Sequence, residues 1–363
     1  MNMSSVAAPL TVDAPDAEAP SGAPKHLSPN QRAWLRFKRN RVGYIALWVL
    51  VGMLVVSTLA ELIANDLPFV ARHEGRWYFP MIHNPTDREL GGDFDTQVDW
   101  HDPFIRSNIA KPGNFALFTL IDHSARSVNN FALEADPAKP SSSHWLGTDE
   151  SGRDLLARLI YGFRVSVWFG FALMLTGIAI GLLAGAVQGY FGGRIDLAGQ
   201  RFIEIWNSIP ELYLLIIFAS IFEPSILLLL VLLSLFGWVS LSDYVRAEFL
   251  RNRGLEFVKA ARALGLSNWQ IIWRHVLPNS MTPVITFLPF RMSAAILALT
   301  SLDFLGLGVP SPTPSLGDLL RQGKENLDSW WITVPTFALL VLTLLLLTLI
   351  GDALRDAFDT RKS

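Results

Sequence analysis

The sequence predicts an all-α polytopic membrane protein with six transmembrane helices and both termini in the cytosol. Three observations carry that prediction. The apolar residues gather in nearly uncharged blocks of about 20, the length that crosses a bilayer, where a soluble chain would show short amphipathic periods. Lys and Arg concentrate in alternate short loops, as a chain with both ends inside requires. Glycines recur every fourth residue within one apolar block, a spacing that lets helix backbones approach closely in lipid. Whole-chain totals decide less: 51% hydrophobic residues and a mean hydropathy of +0.33 are only mildly apolar. A formal charge of −2 excludes polyanion binding through bulk positive charge. The absence of cysteine excludes disulfides, thiolate metal sites and a cysteine nucleophile.

Taken in order, residues 1–24 hold Ala, Pro, Ser and acids but no Lys or Arg, which predicts a disordered tail and not a signal peptide. Residues 25–41 carry six Lys and Arg and should stay in the cytosol, so 1–41 reads as a cytosolic disordered and basic tail. The first span follows at 42–64. Residues 65–163 read as an extracytosolic insert that ends in an amphipathic helix, 153–164, lying on the membrane. Thr148 is the expected cap of a helix whose first turn holds Asp149 and Glu150. A catalytic Asp/Glu pair there lacks a nucleophile or metal ligand at motif spacing. The insert contains five of the seven histidines, His73, His83, His101, His123 and His144. Their spacings match no compact ligand motif, so surface or hydrogen-bonded roles are expected and no metal ligand is assigned.

Residues 164–351 form the core, with spans at 165–187, 202–222, 226–241, 284–305 and 332–350, and a cytosolic tail follows at 352–363. The block 202–222 is the weakest, because Glu204, Asn207, Pro210 and Glu211 crowd its first half. Loop 243–280 holds six Lys and Arg and the tail three, against none in 223–225 and two in 306–331. Gly177, Gly181, Gly185 and Gly189 form the small stripe, which serves either a moving interface between helix bundles or static packing. Arg291 lies mid-span, where a charge costs about 3 kcal/mol on insertion scales. It either lines a translocation path, with Glu204 and Asp303 as further polar groups, or pairs with an acid on another helix such as Glu204. Asp303 is about 18 Å further along the axis, too far for a direct pair. Pro283 and Pro289 should bend this span.

The cytosolic loop 243–280 predicts a helix at 255–264, a left-handed Gly265, a capping box from Ser267 to Gln270 and a second helix, 268–277, that stops at Pro278. Ala260 and Ala261 leave one face small enough to invite a partner surface. Spans on both sides tether the pair at the membrane, which argues against DNA binding.

These residues resemble a known family. Lys259-Ala260-Ala261, then Gly265, then Val276-Leu277-Pro278 resembles the EAA loop of bacterial ABC importer permeases. Lys259 stands where that motif has Glu, and His275 where it has an apolar residue. Two further strings, residues 144–154 (HWLGTDESGRD) and 304–310 (FLGLGVP) continuing through Pro312, Pro314, Ser315 and Leu316, are similar to the C-type subunit of dipeptide, oligopeptide and nickel permeases. The long insert is most similar to the branch that imports microcin C and oligopeptides, the Yej-type system. The resemblance covers about residues 30–55 and 144–357.

It implies the type I importer permease fold in a bacterial inner membrane, with Lys259, Ala260, Ala261, Arg262, Gly265, Leu277 and Pro278 in or beside a coupling helix gripped by an ATPase. It also implies a second homologous permease, two ATP-binding subunits or one fused ATPase, a periplasmic substrate-binding protein, membrane lipid around the spans and a peptide substrate, with nickel or another small solute as the alternative. No nucleic acid is implied, and no cofactor is expected in this chain. ATP and Mg would be bound by the partner ATPase, since the sequence has no P-loop, no H-E-x-x-H and no G-x-S-x-G. The chain is thus expected to be a transport subunit, not an enzyme. An intramembrane enzyme would need a convergent polar set that is not recognised here, and a passive channel would not depend on loop 254–278.

Overall fold

The computed structural model describes residues 28–128 and 135–359. The predicted disordered stretch 1–24 lies outside the described residues, as do positions 360–363 of the tail. Among the described residues, five helical segments are long and apolar enough to cross a membrane: Arg41–Thr58, Leu155–Phe191, Ile226–Asn252, Asn268–Phe304 and Trp330–Phe358. Gly193–Asn207 and Glu211–Ile221, bent by 61°, make a sixth if taken as one broken span.

The chain enters through α1 (Pro29–Arg39), so part of the stretch expected to be a disordered basic tail is helical. A reciprocal Ser28/Gln31 capping box starts it. Phe37 then buries against Ala353 and Ala357 of α14 (Trp330–Phe358), which holds the amphipathic helix to the bundle. Asn40 accepts from the Gly43 N–H at 3.1 Å and caps α2 (Arg41–Thr58), the first span. The short α3 (Ala60–Ile63) leads out of it.

The insert departs from the all-α expectation. Strands β1 (Val70–His73), β2 (Arg76–Tyr78) and β3 (Phe115–Leu117) form an antiparallel sheet in the order β2-β1-β3. Ala71 lies opposite Tyr78 on one side and Ala116 on the other. The two-residue turn between β1 and β2 uses positive φ at Glu74 (48°) and Gly75 (81°), as a tight hairpin demands. Helix α4 (Pro103–Ile109) closes a small core of Ala71, Leu90, Val98, Trp100 and Ile105.

Helix α5 (Leu155–Phe191) runs 37 residues, about 55 Å, without a break. The expected surface helix 153–164 is therefore the outer end of the second span, since nothing in that stretch stops a helix until Gly192 at φ 63°. Its cap is Asp154, which accepts from the Ala157 N–H at 2.8 Å; Thr148 does not cap it. Helices α6 (Gly193–Asn207) and α7 (Glu211–Ile221) are separated at Pro210, which supplies no N–H and disfavours a helical residue before it. Helices α8 (Ile226–Gly237) and α9 (Val239–Asn252) join at Trp238 and carry the fourth apolar segment past the predicted end at 241.

In loop 243–280, α10 (Glu256–Ala263) ends before Gly265 at φ 79°, and the Ser267/Gln270 capping box starts α11 (Asn268–Ile271). The expected stop at Pro278 does not occur. A π-helical turn, Ile272–Val276, feeds directly into α12 (Leu277–Phe304), with Pro278 in the first turn of the latter. In the wider turn Leu277 N–H reaches Ile272 O, and Pro278 follows in the first turn of α12, where its missing N–H is best tolerated. Helix α13 (Leu316–Glu325), capped by Ser315, and α14 complete the fold.

Candidate functional site

The glycine stripe brings α5 against α9. A Cβ added at Gly181, Gly185 or Gly189 would lie 2.7, 2.4 or 2.5 Å from the backbone oxygens of Trp238, Ser242 and Arg246. The stripe therefore packs within this chain, helix against helix. Gly177 stands apart: its Cβ would meet the end of the Arg291 side chain at 3.0 Å.

Arg291 sits on α12 and donates to the Ser240 hydroxyl and to the Gly237 carbonyl, both at the α8–α9 joint. Neither acceptor is an acid. Glu204 pairs with Arg201 on the exposed side of α6, so the Arg291–Glu204 pair allowed by the sequence does not form. Asp303 is elsewhere again. It is 5% exposed, accepts from Val309 N at 2.8 Å and from the Ser315 hydroxyl, and so pins the loop between α12 and α13. Gly308 lies so near it that any side chain there would overlap its carboxylate. Arg291 instead lines a cavity of about 180 Å³ with Met174, Phe236, Ala294 and Glu211. Glu211 was visible in the sequence only as a charge in a weak span. The bend at Pro210, which makes it the first residue of α7, delivers it to the cavity.

The predicted coupling residues divide by helix face. Ala261 is 4% exposed and packs with Val258, Tyr190, Ile271, Ile272 and Val276. Its small side chain serves this chain's own core, so the expectation that it faces a partner is corrected. Lys259, Ala260, Arg262, Gly265 and Pro278 are exposed, and Leu277 is half-buried. Lys259 pairs with Glu256 at 2.8 Å, and Arg262 donates to the Tyr190 hydroxyl at 3.4 Å. Phe257, Ala260 and Leu264 share the outward face at helical spacing, with Leu264 81% exposed and Trp269 and Trp273 following beside them. That is an apolar surface on an element between two spans.

On the opposite side, residues 144–154 build a buried ionic network. Asp149 accepts from the backbone N–H groups of Ser151 and Arg153, both at 2.9 Å, and from Arg153 Nε at 2.9 Å. Arg158 Nε lies 3.2 Å from the same carboxylate, and Arg158 Nη2 is 3.4 Å from Asp318 on α13. Arg153 also donates to Ser311 at 3.0 Å. The string 144–154 and the one running through Ser311 thus meet in space. Three of the insert's histidines meet as well: the His101 and His123 rings are 4.5 Å apart, and His123 and His144 4.3 Å. Burial, with His123 against it, holds His101 below the ordinary histidine value. His123 and Arg106 beside Asp122 hold its carboxyl well below the usual carboxylate range.

Residues 177–363 match the family described as binding-protein-dependent transport system inner membrane component, and residues 28–76 match the N-terminal TM domain of oligopeptide transport permease C. The chain is 47% identical over 338 residues to the inner membrane ABC transporter permease protein YejE of Escherichia coli, covering 93% of this chain and 99% of that one. It is 43% identical to the peptidoglycan transport system permease protein YejE of Agrobacterium fabrum, over 92% of this chain and 93% of the relative. It is 31% identical to the dipeptide transport system permease protein DppC of Lactococcus lactis, over 92% and 91%. With apolar segments for a multi-pass membrane fold and matches along most of its length, the chain belongs to the binding-protein-dependent transport system inner membrane components, and among them to the YejE-type permeases of ABC transporters.

Proposed function

We propose that the chain is the permease subunit of an ATP-driven peptide importer and that Arg291 with Glu211 marks the translocation path. In this reading six spans with both termini in the cytosol form the type I arrangement, and a second homologous permease completes the path. One fused or two separate ATPase subunits, which bind ATP and Mg, dock on the outward face of α10. A periplasmic binding protein delivers the peptide. The relatives' names as dipeptide and peptidoglycan transport permeases support the substrate class.

One observation carries the path. The Arg291 guanidinium is held inside the spans by a hydroxyl and a carbonyl, so its charge is not cancelled by an acid at hydrogen-bonding distance. A cation in that position is stable where it faces a wet cavity or an anion. A peptide carboxylate is such an anion, and Glu211 across the same cavity offers the opposite charge to a peptide ammonium.

The test is uptake of labelled peptides and of nickel by cells lacking the chain and complemented with wild type or Arg291→Gln. Removing a charge-assisted contact of about 1.5–3 kcal/mol should lower apparent affinity roughly 10- to 100-fold at unchanged chain abundance. Unchanged peptide uptake by Arg291→Gln would remove Arg291 from the path. Uptake of nickel alone would overturn the peptide reading.

A further inference from the structure

The histidines that sequence spacing left unassigned converge at the junction between the insert and α5. His123 comes from the loop after β3, whereas His144 and Asp154 belong to the segment that enters α5. Ligand atoms of His123, His144 and Asp154 all lie within 4.8 Å of one another. The three residues are 6%, 5% and 1% exposed. We propose that His123, His144 and Asp154 bind one divalent transition-metal ion of the zinc class, which clamps the insert to the outer end of the second span.

The donor chemistry selects the ion. Two imidazoles and one carboxylate suit a borderline cation such as Zn²⁺, whereas Ca²⁺ and Mg²⁺ prefer all-oxygen shells. In a tetrahedral site with bonds of about 2.0–2.1 Å, neighbouring donors stand about 3.3 Å apart. His144 Nδ1 and Asp154 Oδ2 are 2.9 Å apart and share a hydrogen bond, which the ion would replace at nearly the spacing already present. The donor atoms all lie within 4.8 Å, so closing the third corner takes approaches of at most about 1.5 Å. Asp154 is prepared for the role, because its other oxygen is fixed by the Ala157 N–H at 2.8 Å.

The surroundings fit a ligated imidazole. Metal-bound histidines present their second ring nitrogen to a carboxylate or carbonyl. Asp122 Oδ1 lies 3.0 Å from His123 Nδ1, within ion-pair distance. The contact lacks hydrogen-bond alignment, so this buried nitrogen has no hydrogen-bond partner. A buried polar atom left in that state is destabilising. An ion on the opposite ring nitrogen would fix Nδ1 as the N–H donor, and a small rotation of the ring would then align it on Asp122. His101, stacked on His123, walls the other side. A cavity of about 330 Å³ lined by Asp122, Asp154, Arg106 and Trp145 adjoins the cluster and offers an entry path with room for a water ligand. The same junction carries an apolar patch of Ala64, Ile121, Ala125 and Ala157, which a clamp would hold in register.

The full-length chain, purified in detergent and stripped with chelator, is incubated with micromolar Zn²⁺ and desalted, and its metal is counted by mass spectrometry. Wild type should retain about one Zn²⁺ per chain. His123→Ala and His144→Ala should each lower that content at least tenfold, while His83→Ala, at an exposed position outside the cluster, should leave it unchanged. Wild type without Zn²⁺, or undiminished Zn²⁺ in His123→Ala, would overturn the proposal. X-ray absorption at the zinc edge on wild type tests it independently of variant folding. Imidazole nitrogens at about 2.0–2.1 Å are expected, and an all-oxygen shell would refute the site.

Discussion

Replacing Gly185 with alanine is the sharpest test of how the bundle is held. A Cβ there would lie 2.4 Å from Ser242 O, 2.8 Å from Val245 Cβ and 3.0 Å from Arg246 N. Ordinary carbon contacts begin near 3.5 Å, so the overlap is about 1 Å. Two of the three obstacles are helix backbone, which cannot rotate away as a side chain can. Helices α5 and α9 must therefore separate. A radial gap of 0.5–1 Å forfeits about a quarter to a half of each dispersion contact along the seam. Overpacking of this kind costs about 1–3 kcal/mol, while alanine gains about 1 kcal/mol over glycine in a helix. Two controls isolate the propensity gain. Gly52 on α2 has no heavy atom within 4 Å of its would-be Cβ, and Gly177 meets first the movable end of Arg291. In equilibrium unfolding of the full-length chain in mixed micelles, Gly52→Ala and Gly177→Ala should match or exceed wild type. Gly185→Ala should fall about 1–3 kcal/mol below Gly52→Ala. Equal stability of Gly185→Ala and Gly52→Ala would refute the close-packed seam.

Two further outcomes rest on burial. Asp149→Ala leaves Arg153 and Arg158 buried beside no carboxylate on that side, and should cost about 3–5 kcal/mol in the same unfolding measurement. Ala261→Asp places an unpaired carboxylate in the core between α10 and the start of the α11–α12 segment and should lower stability by several kcal/mol. Ala260→Asp on the outward face should leave stability within about 0.5 kcal/mol and abolish co-purification of the ATPase. The reverse pattern would mean that α10 is turned the other way.

The legible parts of the fold were those written in consecutive residues. Uncharged runs located the spans, and Ser267, Gln270 and Gly265 marked helix ends because caps act within one turn. The parts that escaped depend on tertiary context. Strands of three or four residues in the insert are too short for an alternation pattern to stand out. The π turn that lets the chain pass Pro278 is a local geometry with no composition of its own. Ala260 and Ala261 are chemically identical, so only packing says which one faces a partner. His123 and His144 are separated by 20 intervening residues and meet through the fold of the insert. Arg291 announced itself as a mid-span charge, but its companion Glu211 needed the bend at Pro210.

The unbroken passage through Pro278 has a mechanical consequence. Ile271, against which α10 packs, and Arg291, at the cavity, lie on one continuous helical segment twenty residues apart. That is a lever arm of about 30 Å. Tilting it by one degree about Arg291 displaces the Ile271 end by about 0.5 Å, given that length. A displacement of α10 is therefore carried towards the cavity wall along one helical segment, through the π turn and past Pro283 and Pro289. Small rotations at the cavity correspond to ångström-scale strokes at the end packed against α10.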